Sequence, residues 1–231
     1  MALLNIGKAI VLWIILTISI SIYATPAERR SVLSLILLFF NHLNLFIALC
    51  EIVLGLHIKT IQDDYLKLRE TYKGKELDAC AAFMFMPLEL SELFDGKKWS
   101  RMWSTYSLYD PSYQNNESFG FFIDVGNGWT TIIPTFLVDA AIISPSLLSS
   151  YFDQAHIVVG CFGIATYWQM MYGTYIYFLS YVFNARYKGK SFAEVAGFVG
   201  VSNVIWVLFP TFGLYASYSM LREGNMSVFE I

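Results

Sequence analysis

The sequence predicts an all-α integral membrane bundle of about five transmembrane helices, with a long interfacial loop between the second and third. Three observations predict it. Only 14% of the 231 residues are charged and 56% are hydrophobic, whereas soluble domains carry about 25% charged residues. The apolar residues fall into blocks long enough to cross a bilayer, which takes about 20 residues per helix. Aromatic residues crowd Trp99 to Tyr113, at the end of the one long polar stretch, as expected near lipid headgroups.

The blocks follow in order. The first runs from about Ala2 to Tyr23, broken only by Asn5 and Lys8. Ile22-Tyr23-Ala24 could serve as a leader cleavage site, but the stretch is longer than the apolar core of a leader and reads as an anchored helix. Lys8 snorkels to the surface. The second block, about Ser31 to His57, carries Asn41, His42, Asn44 and Glu51. The polar region Ile58 to Ser118 opens with a charged, helix-like run, Asp63 to Glu70. It continues into Ala81 to Leu90, an apolar run too short to span and interrupted by Pro87 and Glu89, hence interfacial or re-entrant. The third block runs from about Phe119 to Leu148, the fourth from about Phe152 to Phe183 and the fifth from about Val195 to Leu221. The turn Ser149 to Tyr151 is so short that the third and fourth form an antiparallel hairpin. No repeat interrupts the chain, which reads as one membrane domain over 1–231.

Five spans put Lys8, the long loop and Arg186-Lys188-Lys190 on one side, against Arg29, Arg30 and Arg222 opposite. The positive-inside rule then places the amino terminus in the cytoplasm. The sequons at Asn116 and Asn225 fall on opposite sides and read as chance. A net charge of −3 without a basic stripe excludes nucleic acid as a partner. Cys50, Cys80 and Cys161 form no CxxC or Cys/His cluster, so neither a metal nor a disulfide framework is expected. No charged ring or repeated half-helix suggests a channel or transporter.

Ionisable groups inside a span are costly and mark function. Glu51 lies about two-thirds along the second block and Asp124 in the first turns of the third. Asn44, seven residues before Glu51, shares its helical face, whereas His42, nine before, turns to the opposite face at about 100° per residue. Asn203 and Trp206 share a face of the fifth block. Of two carboxyls in one apolar cavity, one can hold a proton and donate it while the other accepts one. Aromatic faces stabilise a cation between those steps. Such a set suits moving a carbon–carbon double bond. The competing reading is that these groups only bond helices together. Asp139, Gln169, Thr174 and the Gly126-Asn127-Gly128 run read as structural: an interface carboxylate, two interhelical hydrogen bonds and a close helix approach.

The stretch Trp103-Ser-Thr-Tyr106-Ser-Leu-Tyr-Asp110-Pro-Ser-Tyr113, followed by Glu117-Ser-Phe119 and Asp124, resembles the emopamil-binding protein family, the sterol Δ8–Δ7 isomerases and relatives sharing the EXPERA membrane domain. Tyr172-Gly-Thr-Tyr-Ile-Tyr-Phe178 and Asn203-Val-Ile-Trp206-Val-Leu-Phe-Pro210 are similar to two further motifs of that family. The resemblance covers roughly Asn41 to Met220, within a core of about 31–222. It implies five helices around a lipophilic cavity, in the endoplasmic reticulum of a eukaryote, with Glu51 and Asp124 as catalytic acids. Asn44, Tyr172, Asn203 and Trp206 would contact the substrate, with Trp206 facing a cationic intermediate. Tyr106, Asp110 and Tyr113 would belong to the loop closing the cavity mouth. The partner would be a sterol or other lipophilic molecule among membrane lipids, with a homodimer among the allowed assemblies and no cofactor. Three departures stand out: Ile47 occupies the position of the isomerases' helix-two histidine, the second acid is Asp rather than Glu, and Thr174 replaces an Asp. They leave open a non-catalytic sterol- or lipid-binding protein, or a structural subunit of a membrane complex.

Overall fold

The computed structural model describes residues 4–231, so the first two residues of the first apolar block lie outside the described residues. The described chain is helical, with a single isolated bridge between Asn5 and Pro87. In order, α1 is Ile6–Ala24, α2 Val32–Leu56, α3 Ile58–Thr71, α4 Glu76–Met84, α5 Gly96–Tyr106, α6 Phe119–Thr130, α7 Ile132–Ile143, α8 Pro145–Tyr151 and α9 Ala155–Phe183. The last helix, α10, is Phe192–Glu223 and contains a π-helical turn at Val195–Val201.

Three helices, α1, α2 and α10, are long and apolar enough to cross a membrane. The third block is two helices broken at Thr131, which make a fourth span if taken together. The fourth block forms a 29-residue helix, but it does not reach the same apolar threshold. Its Gln, His and several Tyr residues dilute the apolar content. Many large apolar side chains of α1, among them Val11, Ile15, Leu16 and Ile20, are exposed; apolar surface on such a scale belongs in lipid.

The chain folds as two compact units. The first comprises the stretch up to Trp13, Leu49–Trp129 and Ile176–Asn203. Its polar region is not a loose loop. On α3, Ile61, Tyr65 and Leu68 recur at helical spacing and are buried, and α3 and α4 pack on α5. Asp95 caps α5 by accepting from the Lys97 amide at 2.9 Å. Tyr65, Leu68, Ala79, Leu108 and Tyr109 form one core. The Ala81–Leu90 run pairs with the start of α1: Ile6 N donates to Met86 O and Leu88 N to Leu4 O, both at 3.1 Å. Ile6, Phe83 and Leu88 bury one another there. Of the aromatics between Trp99 and Tyr113, Trp103, Tyr109 and Tyr113 are buried within the protein.

The second unit comprises Ile14–Ala48, Thr130–Tyr175 and Val204–Ile231. Leu37, Phe40, Val138, Ile142, Tyr167, Met220 and Phe229 are central to its core. A Cβ on Gly213 would stand 2.4 Å from the Tyr167 ring, so only glycine admits that ring against α10. Of the Gly126-Asn127-Gly128 run, nothing lies within 4 Å of a Cβ on Gly126, while Asn127 and Gly128 are buried. Gln169 bonds between helices, to Thr130 Oγ1 at 2.8 Å, as expected. Thr174 does not; its hydroxyl returns to Met170 O in its own helix, the usual refuge of a helical threonine. Buried Arg29 donates to Ile142 O, Ala141 O and Met226 O and pairs with Glu230 at 2.7 Å. It thereby satisfies the carbonyl end of α7.

Candidate functional site

The first unit brings Glu51 and Asp124 together. Glu51 projects from the α2 segment that begins at Leu49, and α6 carries Asp124 past it. The approach is close because Gly55, one turn beyond Glu51, has no side chain: a Cβ would meet Val125 Cγ1 at 3.0 Å. The two carboxyls interact electrostatically. Glu51 is 5% exposed, and its Oε2 has no hydrogen-bond partner among the described residues. A buried carboxyl oxygen without a partner is rare and points to a ligand, a proton or a water.

An aromatic wall stands beside the acids. Trp103 Nε1 donates to the carbonyl of Cys50, the neighbour of Glu51, at 2.7 Å. Its ring stacks on Tyr113 at 5.1 Å, and Tyr106 meets Tyr113 edge-on at 5.0 Å. The Tyr113 phenol lies within interaction range of the Asp124 carboxyl. Burial, with the nearby Asp124 charge adding to it, holds the Tyr113 hydroxyl well above the usual phenol range, and burial also raises Tyr106. Both therefore stay protonated and serve as donors.

Asn203 belongs to the same unit. Its amide donates to Tyr106 Oη at 3.1 Å and to Val199 O at 2.9 Å, while Tyr106 Oη donates to Phe198 O at 3.2 Å. The π-helical turn is thus tied to the aromatic wall; such turns recur at functional sites. Asp110 is fully buried but occupied. Its oxygens accept from the Ser112 amide, from Tyr177 Oη and from Arg186 Nη1 on both sides, at 2.8–2.9 Å. All its lone-pair positions are taken, so it holds its loop and has none left for a ligand.

The remaining expected residues lie in the second unit. Asn44 donates toward Thr131 and Thr135 and accepts from Trp206 Nε1 at 3.3 Å. Trp206 also meets Phe40 edge-on at 6.1 Å. Tyr172 is 51% exposed and stacks on Trp168. His42, set apart from Glu51 by the helical wheel, pairs instead with Asp139 at 3.5 Å.

Sequence reasoning does not single out Arg186 or Tyr177 as site residues. Arg186 counted only towards loop charge, and nothing in the sequence ties it to a carboxylate 76 positions earlier. Tyr177 lay within a motif but away from its acidic position. Compared with protein-family models, with curated proteins and with solved structures, the chain shows no match.

Proposed function

We propose that the protein is a five-span membrane isomerase that shifts a carbon–carbon double bond in a sterol-like or terpenoid lipid. The observation that carries this reading is the Glu51–Asp124 pair beside three aromatic rings, with Glu51 buried, Asp124 half-buried and one Glu51 oxygen unpartnered among the described residues. Glu51 as the acid adds its proton to one alkene carbon, leaving a carboxylate and a carbocation at the adjacent carbon. Asp124 as the carboxylate removes a proton from the next carbon, and that C–H electron pair forms the displaced double bond. No electron leaves the substrate, so no redox partner is required. Between turnovers Asp124 gives up the gained proton and Glu51 takes one up by exchange with solvent, which completes the cycle. Trp103, Tyr106 and Tyr113 supply ring faces to the cation, and the Tyr113 hydroxyl steadies Asp124 in its ionised form. Ile47, where the isomerases carry histidine, provides no side-chain relay for this exchange.

Glu51→Gln and Asp124→Asn keep shape and remove the acid and the base. Each variant should lose at least about 100-fold in turnover, the low end of general acid–base contributions, while still binding the lipid. Wild-type rates in both would end the acid–base account. A second reading, a lipid carrier using the same site, is favoured by Ile47. Mass spectrometry of co-purified lipid separates the two, since a carrier returns a supplied sterol unshifted.

A further inference from the structure

The second unit holds a buried polar chain that the isomerase reading does not use. Ser21 on α1, Asn41 and His42 on α2, Asp139 on α7 and Tyr167 on α9 are all buried. Tyr167 Oη donates to Asn41 Oδ1 at 2.9 Å, and the Asn41 amide donates to Asp139 Oδ1 at 2.7 Å. At the other end Ser21 Oγ lies 2.5 Å from His42 Nε2. The two atoms between, His42 Nδ1 and Asp139 Oδ2, face each other at 3.5 Å. Neither has a hydrogen-bond partner among the described residues.

Counting protons decides what this arrangement is. With one proton on the pair, His42 carries it on Nδ1, Nε2 is a bare acceptor for the Ser21 hydroxyl, and the pair bears a net negative charge. With two, Nε2–H donates to Ser21 Oγ, the second proton lies between Nδ1 and Oδ2, and the net charge is zero. Two observations and one physical constraint favour two. The Thr17 carbonyl, an acceptor only, also lies beside the His42 ring and calls for an N–H there. Among the described residues no lysine or arginine is paired with Asp139; the ion pairs go to Glu230, Asp64, Glu92, Asp110 and Glu223. An uncompensated charge in a water-poor interior is costly. Tyr167, a further titratable group beside Asp139, turns its hydroxyl to Asn41.

We infer that His42 and Asp139 form an intramembrane proton-binding site that joins α1, α2, α7 and α9 and holds two protons in the folded protein. The order Ser21–His42–Asp139 also matches that of a nucleophilic relay, but Ser21 lies inside the hydrogen-bonded helix α1, whose amides are engaged and cannot form an oxyanion site. The site is separate in chain and chemistry from Glu51 and Asp124. At neutral pH the unfolded chain carries a charged aspartate and a largely neutral histidine, one proton fewer. Stability contributed by the pair therefore falls as pH rises, because the folded state binds the extra proton.

The chain has three histidines, so nitrogen NMR of the ¹⁵N-histidine-labelled protein in micelles reads the site directly. The His42 signals are those missing from His42→Gln. Should that variant fail to fold, they are the ones that persist in both His57→Gln and His156→Gln. The expected result near neutral pH is a protonated Nε2. A bare Nε2 with the hydrogen on Nδ1 would overturn the proposal. As a second measurement, the wild-type thermal midpoint should fall between about pH 6 and about pH 9, and Asp139→Asn should lose at least half of that slope. Parallel profiles for the two proteins would also overturn it.

Discussion

The side chains that matter most here are polar groups placed where water is scarce. Asp110 and Glu51 show the two outcomes. Asp110 spends every lone pair on Arg186, Tyr177 and the Ser112 amide, and it is therefore a fixed structural anion. Glu51 keeps an oxygen free, and so retains capacity for chemistry. Replacing Arg186 by Met leaves Asp110 buried without its counter-charge and should cost about 3 kcal/mol or more, measured by denaturant unfolding in micelles. Adding Asp110→Asn to that variant should recover part of the loss, since the orphaned charge is then gone. The sequence disclosed the acids because carboxylates inside apolar blocks stand out. It also turned His42 away from Glu51 through helical periodicity alone. It did not disclose the partners of Asp110 or of His42, because these pairings join residues about 76 and 97 positions apart and leave no local pattern.

Among the elements, helix existence was legible wherever apolar runs were long, and α1, α2 and α10 fall within a few residues of their expected bounds. What the pattern hid was interruption. The third block breaks at Thr131, and the Pro145 that opens α8 cuts it short of Leu148. Within the polar region, expected at an interface, α3, α4 and α5 build a core of their own. Glycines show the same limit. Gly126, in a run suggestive of close packing, faces open space, whereas Gly213 and Gly55, which no motif marks, carry the close approaches. Gly213→Ala should therefore destabilise by about 1–3 kcal/mol through overpacking, with the Tyr167–Asn41 bond disturbed. Gly126→Ala should cost nothing, or gain slightly, because alanine favours helix over glycine. Unfolding the two variants side by side in one detergent checks both.

For the whole molecule, composition carried the conclusion: a chain with 14% charged residues and long apolar helices with exposed side chains belongs in a bilayer. The proposed five spans would put the α1–α2 turn and the segment after α10 on the side opposite the long polar region. Single cysteines placed at Glu28 and Glu223 in a cysteine-free background should then react with an impermeant maleimide from the same side of sealed vesicles. A cysteine at Lys73 should react only from the other side. Reaction of Lys73→Cys together with the first two would contradict the five-span topology.

The most direct test of the acid pair is turnover in deuterated water. Purified protein in lipid nanodiscs is given a sterol with an isolated ring double bond, and the products are read by mass spectrometry and NMR. Protonation by a solvent-exchanged carboxyl predicts a shifted double bond with one deuterium at the newly saturated carbon, formed by the wild type and not by Asp124→Asn. An unshifted, unlabelled sterol from the wild type, or equal labelling by both proteins, would contradict it.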